Sequence, residues 1–182
     1  MKLIDHPRLY LTREVLERCR QPTNLPLLAH ARKIVTKHAN SFARDQDVKY
    51  DTKQHNAHLV RARLTQLRVI TLLAEWAKTG KAKYRDAIMA YVKQIAGWDQ
   101  WSWIAWRRGD KGANTIFDLS CGENSTTLAL IYDVLHDTLS KTERKLLITT
   151  ARQRSINLFI RQVTTGKEKP FWYRNKGSNW AT

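Results

Sequence analysis

Tyr84-Arg85-Asp86-Ala87-Ile88-Met89-Ala90-Tyr91-Val92-Lys93-Gln94-Ile95 decides the fold class. Tyr84, Ala87, Ile88, Tyr91, Val92 and Ile95 stand at i, i+3, i+4, i+7, i+8 and i+11, so a helix gathers them on one face. The same period governs most of the chain. Just upstream, His58 to Lys78 carries an amphipathic stripe through Val60, Leu64, Leu67, Thr71 and Ala74, which Thr79-Gly80 ends. Only a few residues join the two segments, so they are expected to pack as an antiparallel hairpin.

Working outward, Thr12 is placed to cap a short helix reaching about Arg20, with Val15, Leu16 and Cys19 on one face. Pro26 suits the first turn of a second helix running to about Ala43. On the other side, residues 97–117 show no clear period, and Gly109 and Gly112 flank Asp110-Lys111. Helical pattern resumes from Ser120 to Thr138 through Leu128, Ile131, Leu135 and Leu139. Ser140-Lys141-Thr142-Glu143 reads as a capping box, in which a hydroxyl and a carboxylate satisfy each other's backbone N–H groups, and it opens a helix to about Thr164. Gly166-Lys167-Glu168-Lys169-Pro170 reads as a stop and loop. The expectation is an all-α fold of antiparallel helical hairpins: a bundle, an α-solenoid or an α/α toroid.

Composition agrees. The 182 residues make one domain or a piece of one, 42% hydrophobic and 26% charged, a balance that argues against disorder. Seven Gly and four Pro leave little room for a turn-rich β fold. Thirty-two Lys and Arg against sixteen Asp and Glu give a formal charge of +16, a field that favours polyanions: nucleic acid, acidic polysaccharide or an anionic membrane surface. Cys19 and Cys121 have no metal-ligand spacing and read as two ordinary thiols, with one disulfide as the alternative. No stretch is long and apolar enough for a membrane span, and no secretory signal opens the chain. The final segment carries Phe171, Trp172, Tyr173 and Trp180 beside Asn175 and Asn179. Aromatics of this kind need burial, so the chain is expected to be cut within a larger fold.

Residues 97–108 hold the densest candidate chemistry. Trp98, Trp101, Trp103 and Trp106 are followed by Arg107 and Arg108. Indole faces stack on sugars and nucleobases, and guanidiniums suit carboxylate, sulfate or phosphate. The competing reading makes these indoles a core plug between hairpins. His55 and His58 have helical i, i+3 spacing but no third ligand nearby, so no metal is expected. His136 falls near a helix C-terminus, where capping is the simpler role. Tyr132, before Asp133, suits either general acid–base work or the core. Arg61, Arg63 and Arg68 read as a solvated helix face.

Three stretches resemble a known family. His6-Pro7-Arg8-Leu9 resembles the opening that precedes the first helix of heparinase II/III-like and alginate-lyase-like proteins. Phe117-Asp118-Leu119 through Leu128 to Ser140, with Glu143-Arg144, resembles their helix-pair signature around Tyr132-Asp133, with Val134 where the family has Trp. Ser178-Asn179-Trp180-Ala181 resembles their Asn-Trp segment, with Ser178 and Ala181 in place of Asn. The resemblance implies that residues 1–182 are the N-terminal portion of a single incomplete α/α toroid domain, without its remaining helices and β-sandwich. It implies a polysaccharide lyase cleaving uronate polymers by β-elimination, inactive as this piece alone, with no cofactor and with an acidic polysaccharide as partner. Asn179 is the implied carboxylate neutraliser, and the Tyr and His that move the proton are implied to lie beyond Thr182. Trp101, Trp103, Trp106, Arg107, Arg108 and Trp180 are the candidate substrate-binding residues. Such proteins are commonly periplasmic or secreted. The rival classes are a non-catalytic basic module for nucleic acid, against which no helix-turn-helix or RNA-module motif is found, and a helical scaffold for protein partners.

Overall fold

The computed structural model describes residues 5–110, 112 and 116–164. Among these, every regular element is helical. The order is α1 (Arg13–Arg20), α2 (Pro26–Arg44), α3 (Ala57–Thr79), α4 (Ala82–Gly97), α5 (Trp103–Arg107), α6 (Leu119–Leu135), a 3-10 turn (His136–Thr138), α7 (Lys141–Ala151), a π-helical turn (Arg152–Ile156) and α8 (Asn157–Thr164). The chain is all-α over that span.

The punctuation read in the sequence is visible atom by atom. Thr12 Oγ1 accepts from the N–H of Val15 at 3.3 Å, and Pro26 occupies the first turn of α2. Gly80 ends α3 with φ of 66°, a left-handed conformation that lets its N–H reach the Trp76 carbonyl at 2.7 Å. Ser140 Oγ accepts from Glu143 N at 3.2 Å while Glu143 Oε2 accepts from Ser140 N at 2.8 Å, completing the capping box.

The apolar face of α4 is buried at all six positions and forms the middle of the main core. Leu128, Ile131 and Leu135 of α6 and the following Leu139 join it, with Leu147 of α7 and Leu158 of α8. Helix α3 corrects the sequence reading. Leu67 is exposed and Val60, Leu64 and Thr71 are only half-buried, whereas Leu59, Ala62, Val69, Leu72 and Leu73 are buried. The helix is apolar on more than one face, and the stripe chosen from the sequence was not the one packed inward. It packs against α1, α2, α4 and α6 at once, so it needs a broad inward surface. Near the end of α3, Glu75 is buried but satisfied: Thr36 Oγ1 donates to it at 2.9 Å and Lys78 Nζ lies at 2.7 Å.

Two further departures matter for the site. The aperiodic stretch between α4 and α6 contains a helix of its own, α5, started by Ser102 Oγ accepting from Ala105 N at 3.0 Å. The single helix expected over 141–164 is interrupted by a π turn in which the N–H of Asn157 bonds the carbonyl of Arg152. Beyond Thr164, the proposed loop at residues 166–170, the aromatic tail, Asn179 and Trp180 lie outside the described residues.

The helix ends sort into two groups. At one, Arg85 Nη2 of α4 reaches the Thr138 carbonyl at 3.0 Å and Glu143 at 2.7 Å, so the Gly80 turn and the 136–140 turn adjoin. At the other, Arg63 of α3 pairs with Glu123 of α6 at 2.9 Å and Gln94 of α4 reaches the Gln46 carbonyl at 3.3 Å. The long connectors, 45–56 and 98–118, both belong to this second end.

Candidate functional site

The connector end is organised by one carboxylate. Asp118, almost fully buried, accepts from Ser102 Oγ at 2.6 Å and Ile104 N at 3.1 Å through Oδ2, and from Ser120 N at 2.8 Å through Oδ1. It thus caps α6 and anchors the start of α5 at the same time. Burial pushes its carboxyl upward in pKa while these hydrogen bonds pull it back.

That frame fixes the indoles in unequal roles. Trp101 is 0% exposed, and its Nε1 donates to the Ile95 carbonyl at 2.9 Å. No face is open to a ligand, so its expected role as a sugar platform is corrected: Trp101 is the plug. Trp98 is half-buried and lies under the Arg61 guanidinium at 3.9 Å, a close cation–π stack. Trp103 is half-buried, with His55 edge-on at 5.8 Å and Arg107 at 5.9 Å. Trp106 is 37% exposed and its ring lies 5.0 Å from His58. Arg108 is exposed, and its N–H serves as the cap of α5. Trp103, Trp106 and Arg107 therefore share one open rim, while Asn179 and Trp180 fall outside the described residues.

Residues that the sequence reading left aside complete the site. Arg61 was assigned to a solvated face, yet it is half-buried, donates through Nη2 to the Gln100 carbonyl at 2.5 Å and lies 5.8 Å from the Tyr50 ring. Arg154 extends from the π turn to donate to the Trp98 carbonyl, with its Cζ 5.5 Å from the Trp101 ring. The His58-x-x-Arg61 spacing could have shown a shared face; nothing in the sequence marks Arg154, because only the widened π turn brings it here. Arg68 is not solvated either, lying over Phe42 at 4.9 Å and donating to Tyr91 Oη at 3.1 Å. Burial, with Arg61 beside it, lowers the His58 imidazole to a pKa of about 4, so it is neutral at physiological pH. Positive charge at this end comes from arginine.

A second cluster lies at the turn end. Asp133 on α6 accepts from His6 Nδ1 at 2.5 Å, from Arg8 N at 3.0 Å and from Leu9 N at 2.9 Å, tying the N-terminal segment down. The His6 ring stacks on His136 at 4.1 Å, and Tyr132 meets both rings edge-on. Beside them an open groove of about 490 Å³, mostly apolar, runs between this segment and α7, lined by His6, Leu9, Tyr132, Leu147 and Ile148. His136 acts through its carbonyl, which accepts from Arg144 at 2.8 Å, and through Nδ1, 3.1 Å from Asp137.

Among the described residues, no group of three or more His, Cys, Asp and Glu could hold a metal ion, and no helix is long and apolar enough to cross a membrane. Both cysteines are free; Cys121 is buried, and burial raises its thiol far above the ordinary range. Compared with protein-family models, curated proteins and solved structures, the chain matches none.

Proposed function

We propose that this chain is the N-terminal helical part of a heparinase II/III-like polysaccharide lyase, and that it binds a uronic-acid polymer at its connector end. One observation carries the reading. Two of the three stretches that suggested the family, His6-Pro7-Arg8-Leu9 and the one around Tyr132-Asp133, are joined directly, with His6 on Asp133 across 127 positions of sequence. A structural job shared by these two stretches is what supports the reading.

The packing supports the toroid. Helices α2, α4 and α7 touch in succession, α3 and α6 pack on each other, and the two sets alternate along the chain with contacts between them. Two concentric layers of alternating helices are what a toroid built of hairpins requires. In such a ring the long connectors sit at one end, where Trp103, Trp106 and Arg107 form the rim.

The chemistry follows from a uronate's acidity. A base removes the C5 proton, the C4–O bond breaks, and a C4–C5 double bond forms as the leaving oxygen takes a proton. Neutralising the carboxylate makes the C5 proton more acidic. Asn179 is the candidate for that neutralisation, and the +16 charge draws the polymer in. His58 is uncharged at neutral pH and adds nothing to this field.

The test incubates this chain, and a version lengthened by any coding sequence found downstream of Thr182, with a panel of acidic polysaccharides while unsaturated-uronate absorbance is followed. A rise with the longer protein alone is expected. No rise with either on any polymer contradicts the lyase reading, and tighter binding to DNA or RNA than to polyuronates then favours a basic nucleic-acid module.

A further inference from the structure

Arg61 and Arg154 reach Trp98 from two different helical segments, one from α3 and one from the π turn. Each spends one Nη on a neutral backbone carbonyl, Gln100 for Arg61 and Trp98 for Arg154. Each also keeps a buried Nε–H with no acceptor. Among the described residues, neither guanidinium has a carboxylate within ion-pair distance. The Tyr50 hydroxyl, by hydrogen bond and charge, supports the Arg61 cation, and Asp99, exposed, offsets part of both charges from farther away; neither supplies a carboxylate in contact.

Two half-buried guanidiniums in one place are unfavourable unless an anion joins them, because desolvation and mutual repulsion both act against charge. Burial lowers the basicity of both, and the charge of Arg154 lowers that of Arg61 further. The same place holds more unmet capacity: the His58 Nδ1 and Gln100 Oε1 atoms are also buried without partners. Arg61, with its Cζ 3.9 Å from the Trp98 ring centroid, has in-plane N–H groups of the kind a planar carboxylate fits best.

We infer that Arg61 and Arg154 form an anion-binding subsite that takes the carboxylate of one uronic-acid residue, with the Trp98 indole as its wall. The choice of uronate rests on the proposed function; the demand for an anion rests on the two arginines themselves. The subsite lies behind the Trp103–Trp106 rim and holds a sugar in register along the polymer.

The experiment follows the side-chain Nε–H resonances of Arg61 and Arg154 by nitrogen-15 NMR while the intact chain is titrated with methyl glucuronoside, methyl glucoside or inorganic sulfate. Both resonances are expected to shift saturably with the glucuronoside and to stay still with the glucoside. Arg61→Lys and Arg154→Lys, checked for unchanged helical circular dichroism, are each expected to weaken glucuronoside binding about tenfold, the scale of one charge-assisted hydrogen bond. Silent resonances in the unaltered protein, or equal shifts with the neutral sugar, overturn the subsite. Sulfate shifting them as strongly as the glucuronoside overturns the uronate assignment. Lyase activity in the longer protein with silent arginines sinks this inference and leaves the lyase reading standing; responsive arginines without lyase activity do the reverse.

Discussion

The two ends of this helical bundle are built from similar residues and differ in how completely those residues are satisfied. At the turn end, Gly80, the Ser140–Glu143 box and Arg85 close nearly every polar account, and Arg144 Nε is the atom left over. At the connector end, His58, Arg61, Gln100 and Arg154 each keep a buried polar atom without a partner. An unmet buried donor or acceptor costs roughly 1–3 kcal/mol, so a fold keeps several together only where something else supplies the partner. The turn end is closed by its own side chains; the connector end is the proposed place for a ligand.

The largest expected effect sharpens that contrast. Trp101→Ala empties the floor of the connector end and should destabilise the chain by about 4 kcal/mol in chemical denaturation. Trp106→Ala, at the rim, should leave stability within about 0.5 kcal/mol and weaken polyuronate binding instead. Equal loss of stability in both would erase the distinction between plug and rim.

His58 gives the next effect. Its folded pKa of about 4 lies below the ordinary 6.5, so between those values the unfolded chain takes a proton that the folded chain refuses. The His58 contribution is therefore intact above pH 6.5 and lost as pH falls toward 4, by about 3 kcal/mol. Urea melts of the wild type and of His58→Gln across that window should diverge at high pH and converge at low pH; parallel curves break the assignment.

Asp118→Ala removes a carboxylate serving two helix starts and should cost about 2 kcal/mol, near 1 for each cap. Amide exchange should quicken at both α5 and the first turn of α6; faster exchange at one alone would mean the two are not held together. Smallest is Ser140→Ala at the turn end, about 1 kcal/mol in thermal unfolding, with polyuronate affinity unchanged. A change in affinity there would blur the division between the ends.

These contrasts follow how much the residues themselves disclosed. The face of α4 and the capping box were legible because each depends on neighbours within a few positions. The inward face of α3 was not, since a helix packed on several sides is apolar on several sides, and only its partners select the buried one. The indoles were found as a group, but which is plug and which is rim is decided by Asp118 and by the carbonyl that Trp101 reaches. Arg154 gave no signal because a π turn, which no local period announces, aims it at Trp98. Asp133 sat in view beside Tyr132, yet its role depends on a segment more than a hundred residues away.

The most direct test of the account is the affinity of this chain for a polyuronate, measured by calorimetry for the wild type, for Trp103→Ala/Trp106→Ala and for Arg85→Gln at the turn end. Salt-sensitive binding that the double rim variant weakens at least tenfold, and that Arg85→Gln leaves unaltered, is the predicted result. Binding that is absent, or that both variants weaken alike, would contradict it.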